Sequence, residues 1–249
     1  MRSMVAGNWK MNGTRQDATE LVTAIAAQED FQCDVLICPP FVFMQQVSSL
    51  IENSHIKLGA QNVDWHIQGA FTGEISVSMV REFGCRYVLT GHSERRTLFD
   101  ESDDVVATKF KAVIDAGLTP ILCVGETLSQ RQASETHEVI NRQISAVLDH
   151  VSSDEFSRGI IAYEPLWAIG TGKTATPDLA AGVHAGIRQF VAEVDCELAE
   201  NMRILYGGSV NGSNADELMA MEDINGVLVG GASLKSKEFI AICKAAGAN

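Results

Sequence analysis

The chain has 249 residues, of which 46% are hydrophobic and 20% charged, with five prolines. That length is ordinary for one α/β barrel, which commonly runs to about 250 residues, so a single domain over residues 1–249 is expected. A formal net charge of −13 argues against nucleic acid and anionic membranes as partners, since both demand a basic face. No stretch approaches the roughly 18 consecutive apolar residues of a membrane span.

The six cysteines, Cys33, Cys38, Cys85, Cys123, Cys196 and Cys243, are scattered. None forms a C-x-x-C pair or a zinc-type Cys/His spacing, so no metal site is expected. Free thiols suit a reducing compartment. The first ten residues lack a charged leader followed by an apolar stretch, so a cytoplasmic location is expected.

In chain order, a first apolar run, Met4–Trp9, ends in Lys10. Lys10 is either a rim lysine with its stem laid along apolar surface or a fixed cation for an anionic ligand. Thr14 with Asp17 resembles a capping box, and Leu21 and Ile25 share one helical face behind it. Strand-like runs follow at Asp34–Pro39 and Ile56–Asn62. The segment Gln61–Glu74 is long for such a connection and carries Trp65 and Phe71, an apolar tip suited to a partner surface.

The run Tyr87–Gly91 leads into His92, Ser93, Glu94, Arg95 and Arg96. A lone histidine is usually structural, but this one heads a polar turn, and a helix N-terminus aimed at its ring would keep it neutral. Glu94 and the arginines are either a solvated cluster or an ion-pair scaffold. Ser102 predicts an N-cap for a helix carrying Val106, Phe110, Val113 and Ile114, closed at Gly117. The run Pro120–Gly125 precedes a helix with Ile140, Ile144, Val147 and Val151 on one stripe. Cys123, inside that run, reads as a small core hydrophobe.

The run Gly159–Glu164 ends in a carboxylate followed by Pro165, Leu166 and Trp167. Glu164 is either a salt-bridged rim residue or a general base whose pKa burial would raise. Residues 168–174 are small and glycine-bearing and read best as a mobile lid. Their partial matches to a dinucleotide fingerprint and a phosphate-binding loop are weak, since a P-loop would need a glycine where Trp167 stands. Thr176-Pro177 predicts an N-cap and first-turn proline for a helix with Leu179, Val183, Ile187, Phe190 and Val194. Arg203–Gly208 is a strand, Ser213 is expected to cap a short helix with Leu218, and Gly226–Gly230 is the last strand.

Eight such units without a linker predict a closed (β/α)8 barrel, the TIM barrel, over a doubly wound sheet. In barrels a phosphate commonly binds after the seventh and eighth strands, where Gly207-Gly208-Ser209 and Gly230-Gly231-Ala232-Ser233 stand.

Several collinear segments resemble the triosephosphate isomerase family: Gly7-Asn8-Trp9-Lys10, Gly59-Ala60-Gln61-Asn62, Gly69-Ala70-Phe71-Thr72-Gly73-Glu74, Gly91-His92-Ser93-Glu94-Arg95-Arg96, Ala162 to Gly172, Tyr206-Gly207-Gly208-Ser209 and Val229 to Leu234. The resemblance spans the chain. It implies interconversion of dihydroxyacetone phosphate and D-glyceraldehyde 3-phosphate through an enediol(ate), in glycolysis and gluconeogenesis. It implies Glu164 as base, neutral His92 as the proton donor to the carbonyl, and Lys10 with Asn8 as charge stabilisers. The base, the neutral histidine and the lid are this family's own well-known case. The phosphate would rest on Gly170, Ser209, Gly230 and Gly231, with Asn8 and Lys10 nearby, and Glu94 and Cys123 in support. The lid would be residues 165–175. No cofactor is implied. A homodimer is, with Thr72 at the neighbour's Lys10. Another phosphate-binding barrel isomerase, an inactive barrel kept for binding, and a dinucleotide-dependent oxidoreductase are the alternatives; the His92 and Glu164 segments weigh against the first, the presence of Lys10, His92 and Glu164 against the second, and the third is the weakest.

Overall fold

A computed structural model describes residues 1–28, 31–168 and 175–248. Its eight strands are β1 (Met4–Asn8), β2 (Asp34–Cys38), β3 (Lys57–Ala60), β4 (Tyr87–Thr90), β5 (Thr119–Val124), β6 (Ile160–Tyr163), β7 (Ile204–Tyr206) and β8 (Gly226–Val229). They are parallel, ordered as in sequence, and closed by β8 against β1 with Met4 opposite Gly226. This is the expected TIM barrel.

The helices are α1 (Arg15–Ala26), α2 (Met44–Ile51), α3 (Val77–Glu82), α4 (Ser93–Leu98), α5 (Asp103–Asp115), α6 (Leu128–Gln132), α7 (Thr136–Leu148), α8 (Ser153–Phe156), α9 (Pro177–Val194), α10 (Cys196–Asn201), α11 (Ala215–Met219) and α12 (Ser236–Gly247). None among the described residues is long and apolar enough to cross a membrane.

The strands read as unbroken apolar runs because both faces are covered. Met4, Ala6, Leu36, Cys38, Leu89, Ile121, Cys123, Ala162, Leu205 and Leu228 fill the barrel interior. The alternate residues, such as Val5, Val35, Ile37, Val88, Leu122 and Val227, face the helices. Closure needs Gly226, whose φ is +151° and where a Cβ would lie 2.1 Å from the Met4 carbonyl oxygen.

The punctuation holds at most helix starts. Thr14 and Asp17 form a full capping box, Ser102 accepts from the N–H of Val105, and Thr176 accepts from that of Leu179 ahead of Pro177. Gly117, at φ +75°, follows the last turn of α5. Ser213 is a correction. The residue before α11 is Asn214, without a side-chain cap, and the Ser213 hydroxyl instead donates to Asn211 Oδ1 at 2.6 Å. The local Asn turn wins over the helix start. Val151 lies past the end of α7, though it is buried.

One buried group gives a test. His184, on α9 between Tyr163 and Tyr206, is fully buried and donates Nδ1–H to the Asp223 carbonyl oxygen at 3.1 Å. Burial pushes its ring down to about 4. The folded chain therefore stays unprotonated at His184 where the unfolded chain takes up a proton. Stability should fall as pH drops from about 6.5 towards 4, by on the order of 3 kcal/mol from this group. Urea midpoints at the two ends of that window should differ less in His184→Gln than in the wild type; an equal difference would exclude His184 as a source.

Candidate active site

The polar residues singled out at strand ends converge at the carboxyl end of the barrel. Asn8, Lys10, His92, Glu164, Ser209, Gly230 and Gly231 line one cavity of about 410 Å³. A larger concavity of about 740 Å³ lies at the opposite end, around Lys57, Tyr87 and Thr119, without a converging acid–base pair. Active sites of such barrels lie at the carboxyl end, so chemistry rather than size locates this one.

β1 delivers Asn8, which is buried and whose Oδ1 accepts the Lys10 N–H at 3.0 Å. Lys10 itself has φ +53°, a left-handed conformation that costs a residue with a Cβ roughly 1–2 kcal/mol. Two side-chain amides pin the turn with three hydrogen bonds. Gln61 Nε2 donates to the carbonyls of Lys10 (2.8 Å) and Cys38 (2.9 Å), and Asn12 Nδ2 donates to that of Trp9 (2.8 Å). The ammonium meets Glu94 Oε1 at 2.6 Å, so a carboxylate holds it on the cavity wall.

β4 delivers His92 as the residue capping α4. Its Nδ1 accepts the N–H of Glu94 at 3.2 Å, while Nε2 faces Glu164 Oε1 at 3.0 Å. A nitrogen that accepts an N–H carries no proton of its own. The network therefore assigns a neutral ring with its proton on Nε2, directed at the carboxylate.

β6 delivers Glu164, which is 2% exposed. Its Oε2 accepts the N–H of Ser93 at 2.9 Å. Gly207 leaves room for it, since a Cβ there would come within 2.9 Å of Glu164 Cγ.

The titration of Glu164 corrects the expectation. Burial acts upward as anticipated, but His92, the Ser93 N–H and Lys10 outweigh it and hold the carboxyl below the ordinary carboxylate range. For His92, burial acts downward, and the facing Glu164 carboxylate more than offsets it and draws the ring upward. Both directions favour an imidazolium beside the carboxylate, and the Glu94 N–H on Nδ1 opposes it, since a doubly protonated ring has no lone pair to accept; that contact is the geometric basis for a neutral ring with its proton on Nε2. Burial pushes the Cys123 thiol up, so it stays a protonated core residue against the pair.

Beyond Glu164, Leu166–Ala168 form a short 3-10 turn. Fully buried Glu126 accepts from Tyr163 Oη (3.1 Å) and Trp167 Nε1 (2.9 Å). Gly170, Lys173 and the rest of residues 169–174 lie outside the described residues. Thr72 does not reach this cavity; it is exposed on the loop after β3, beside half-exposed Trp65 and Phe71. Among the described residues no group of three His, Cys, Asp or Glu side chains is placed to hold a metal ion.

Glu126 was not singled out by sequence, nor was Gln61 for its role here, because each acts through what it faces in space. A polar residue just past an apolar strand is the sequence signal that each gives.

The profile of the triosephosphate isomerase family matches residues 3–246. The chain is 52% identical over 246 residues to the triosephosphate isomerase of Dechloromonas aromatica, covering 98% of this chain and 99% of that one. It is 50% identical over 246 residues to that of Herminiimonas arsenicoxydans, with 98% and 99% covered. It is likewise 50% identical to that of Nitrosococcus oceani, with 98% of each chain covered.

The pairing of Glu164 with His92 has a direct readout. In His92→Asn the ring's contribution is lost while burial remains, so the Glu164 carboxyl should titrate at higher pH than in the wild type. Carbon-detected NMR of labelled glutamate would follow it, and an unchanged or lower titration would show that His92 is not what holds the carboxylate charged.

Proposed function

Because the chain belongs to the triosephosphate isomerase family and interconverts dihydroxyacetone phosphate and D-glyceraldehyde 3-phosphate, we infer that Glu164 is the base that moves the proton between the two carbons. The observation that carries this is the 3.0 Å approach of Glu164 Oε1 to His92 Nε2, with the Glu94 N–H on the far ring nitrogen.

A proton next to a carbonyl is weakly acidic, so its removal needs a water-poor carboxylate and donors already aimed at the oxygen that becomes negative. Glu164 supplies the first. It takes a proton from one carbon, leaving an enediol(ate), and returns it to the neighbouring carbon. With substrate bound, His92 Nε2–H exchanges the Glu164 carboxylate for the carbonyl oxygen and passes protons between the two oxygens. A neutral imidazole is the better match for that weakly acidic intermediate than an imidazolium, which would release its proton too readily. Lys10, steadied by Asn8 and Glu94, offsets the developing negative charge.

The phosphate rests on main-chain N–H groups at Ser209, Gly230 and Gly231, with Gly170 from the lid, residues 165–175. Gripping the phosphate also suppresses its elimination from the enediolate. The whole chain, 1–249, acts as one barrel domain in the cytoplasm, in keeping with its six unpaired thiols. It works as a homodimer. Trp65, Ile67 and Phe71 expose apolar surface on the loop that carries Thr72, and a second copy covers it, bringing Thr72 towards Lys10 of that copy.

In a coupled assay of glyceraldehyde 3-phosphate isomerisation, Glu164→Asp retains the charge but withdraws it by one methylene. Its kcat should drop by about 10²–10⁴-fold with a much smaller change in KM. A variant as fast as the wild type would remove Glu164 from the role of base. Sedimentation at micromolar concentration should give a dimer, and a monomer would overturn the assembly.

A further inference from the structure

The carboxyl end of β5 has a local hydrogen-bonding problem. In a parallel ladder successive residues direct their main-chain groups to alternate sides. Val124 and Glu126 turn towards β6, where their carbonyls accept the N–H groups of Glu164 (2.7 Å) and Leu166 (3.1 Å). Cys123 and Gly125 therefore turn the other way, towards β4. But β4 leaves the ladder at Gly91, whose φ is +68°, to bring His92 into the site. The strand that would have paired with Gly125 is absent because the site needs it elsewhere.

Side chains replace it. Arg96 Nη2 donates to the Cys123 carbonyl at 3.2 Å while its Nε donates to that of Gly91 at 2.8 Å. Gln143, from the middle of α7, meets both main-chain groups of Gly125. Its Oε1 accepts the N–H at 2.8 Å and its Nε2 donates to the carbonyl at 3.2 Å. This amide pair copies one rung of a sheet. Gln143 is 6% exposed, and a buried polar side chain with both ends matched fixes geometry closely.

Gly125 is also pressed against the catalytic strand. A Cβ there would lie 1.8 Å from the Glu164 carbonyl oxygen, so these two stretches of main chain touch directly. With the Glu164 N–H bonded to Val124, the backbone from which the carboxylate projects is registered by β5, and the free edge of β5 is registered by Gln143.

We propose that Gln143 is a positioning residue for the isomerisation, acting through Gly125 to set where the Glu164 carboxylate stands. This rests on the reading of Glu164 as the base. The role is separate from phosphate binding, since Gln143 does not line the cavity that holds Ser209, Gly230 and Gly231. Carboxylate placement to well under an ångström matters for proton abstraction, whereas ground-state binding through the phosphate tolerates it.

Two substitutions test it. Gln143→Met keeps length and approximate volume but leaves Gly125 unpaired. Its kcat should fall about 10-fold or more, while KM for glyceraldehyde 3-phosphate and the inhibition constant of inorganic phosphate stay within about twofold. Gln143→Glu offers a built-in rescue. A protonated carboxyl can both accept from the Gly125 N–H and donate to its carbonyl, whereas the ionised form can only accept. The charged groups around it are Arg96, Glu101, Asp103, Arg142 and Glu164. The ratio of its kcat to that of the wild type, measured at each pH, should therefore rise as pH is lowered. A folded Gln143→Met with wild-type kcat and only a lower melting temperature would overturn the proposal. If that variant does not fold, a pH-independent ratio for Gln143→Glu would do the same. Glu164→Gln serves as the separate control. Its retaining activity would sink the base reading itself, while its inactivity beside an unimpaired Gln143→Met would sink only the role of Gln143.

Discussion

A carboxylate held ionised in a place almost sealed from water is the constraint around which the carboxyl end of this barrel is arranged. An ionised group at 2% exposure is stable only where fixed donors replace its hydration. Among the described residues, the main-chain N–H of Ser93 and the ring N–H of His92 serve Glu164 in this way. Both come from the first turn after β4, so the left-handed bend at Gly91 follows from the need to bring them there. The missing Cβ at Gly207 leaves room for the Glu164 side chain, and the missing Cβ at Gly125 lets β5 lie directly against the main chain that carries it. Features that look separate in the chain thus answer one electrostatic requirement.

The positive side of the site is built by a different means. The chain carries a net charge of −13, so an anionic substrate meets an unfavourable overall field. In the proposed mechanism Lys10 counters it locally; its strained main chain and its pairing with Glu94 fix the ammonium in place. Fixed charge is worth more than mobile charge, because nothing must reorganise when negative charge develops on the substrate. Glu94 serves both halves. Its carboxylate steadies Lys10 while its main-chain N–H fixes the His92 tautomer.

The barrel was legible because its strands are covered on both faces and so announce themselves as apolar runs, and because Thr14, Ser102 and Thr176 mark helix starts. Lys10, His92 and Glu164 were legible as polar residues closing such runs. What escaped depends on contacts between distant segments. Gln143 looks like any polar residue on an amphipathic helix until Gly125 is seen opposite, and Gln61 gains meaning only beside Lys10 and Cys38. The direction of the Glu164 shift was misjudged for a related reason. Burial of one residue is readable from its apolar neighbours, but the partners that outweigh burial arrive from another strand. Ser213 failed because its N–H and hydroxyl both donate to Asn211 Oδ1 in a local turn, and the helix starts one residue later, after Asn214.

The closure of β8 on β1 places the two ends of the chain in the same working cavity: Lys10 stands beside Gly230, where a Cβ would be 3.7 Å from the lysine Cε. During synthesis the chain emerges from its first residue onward, and β1 must wait for β8 before its open edge is paired. A chain that ends before β7 lacks the part of the cavity wall formed by Gly207, Gly208, Ser209, Gly230 and Gly231. The closure that pairs the last open sheet edges therefore also completes the cavity.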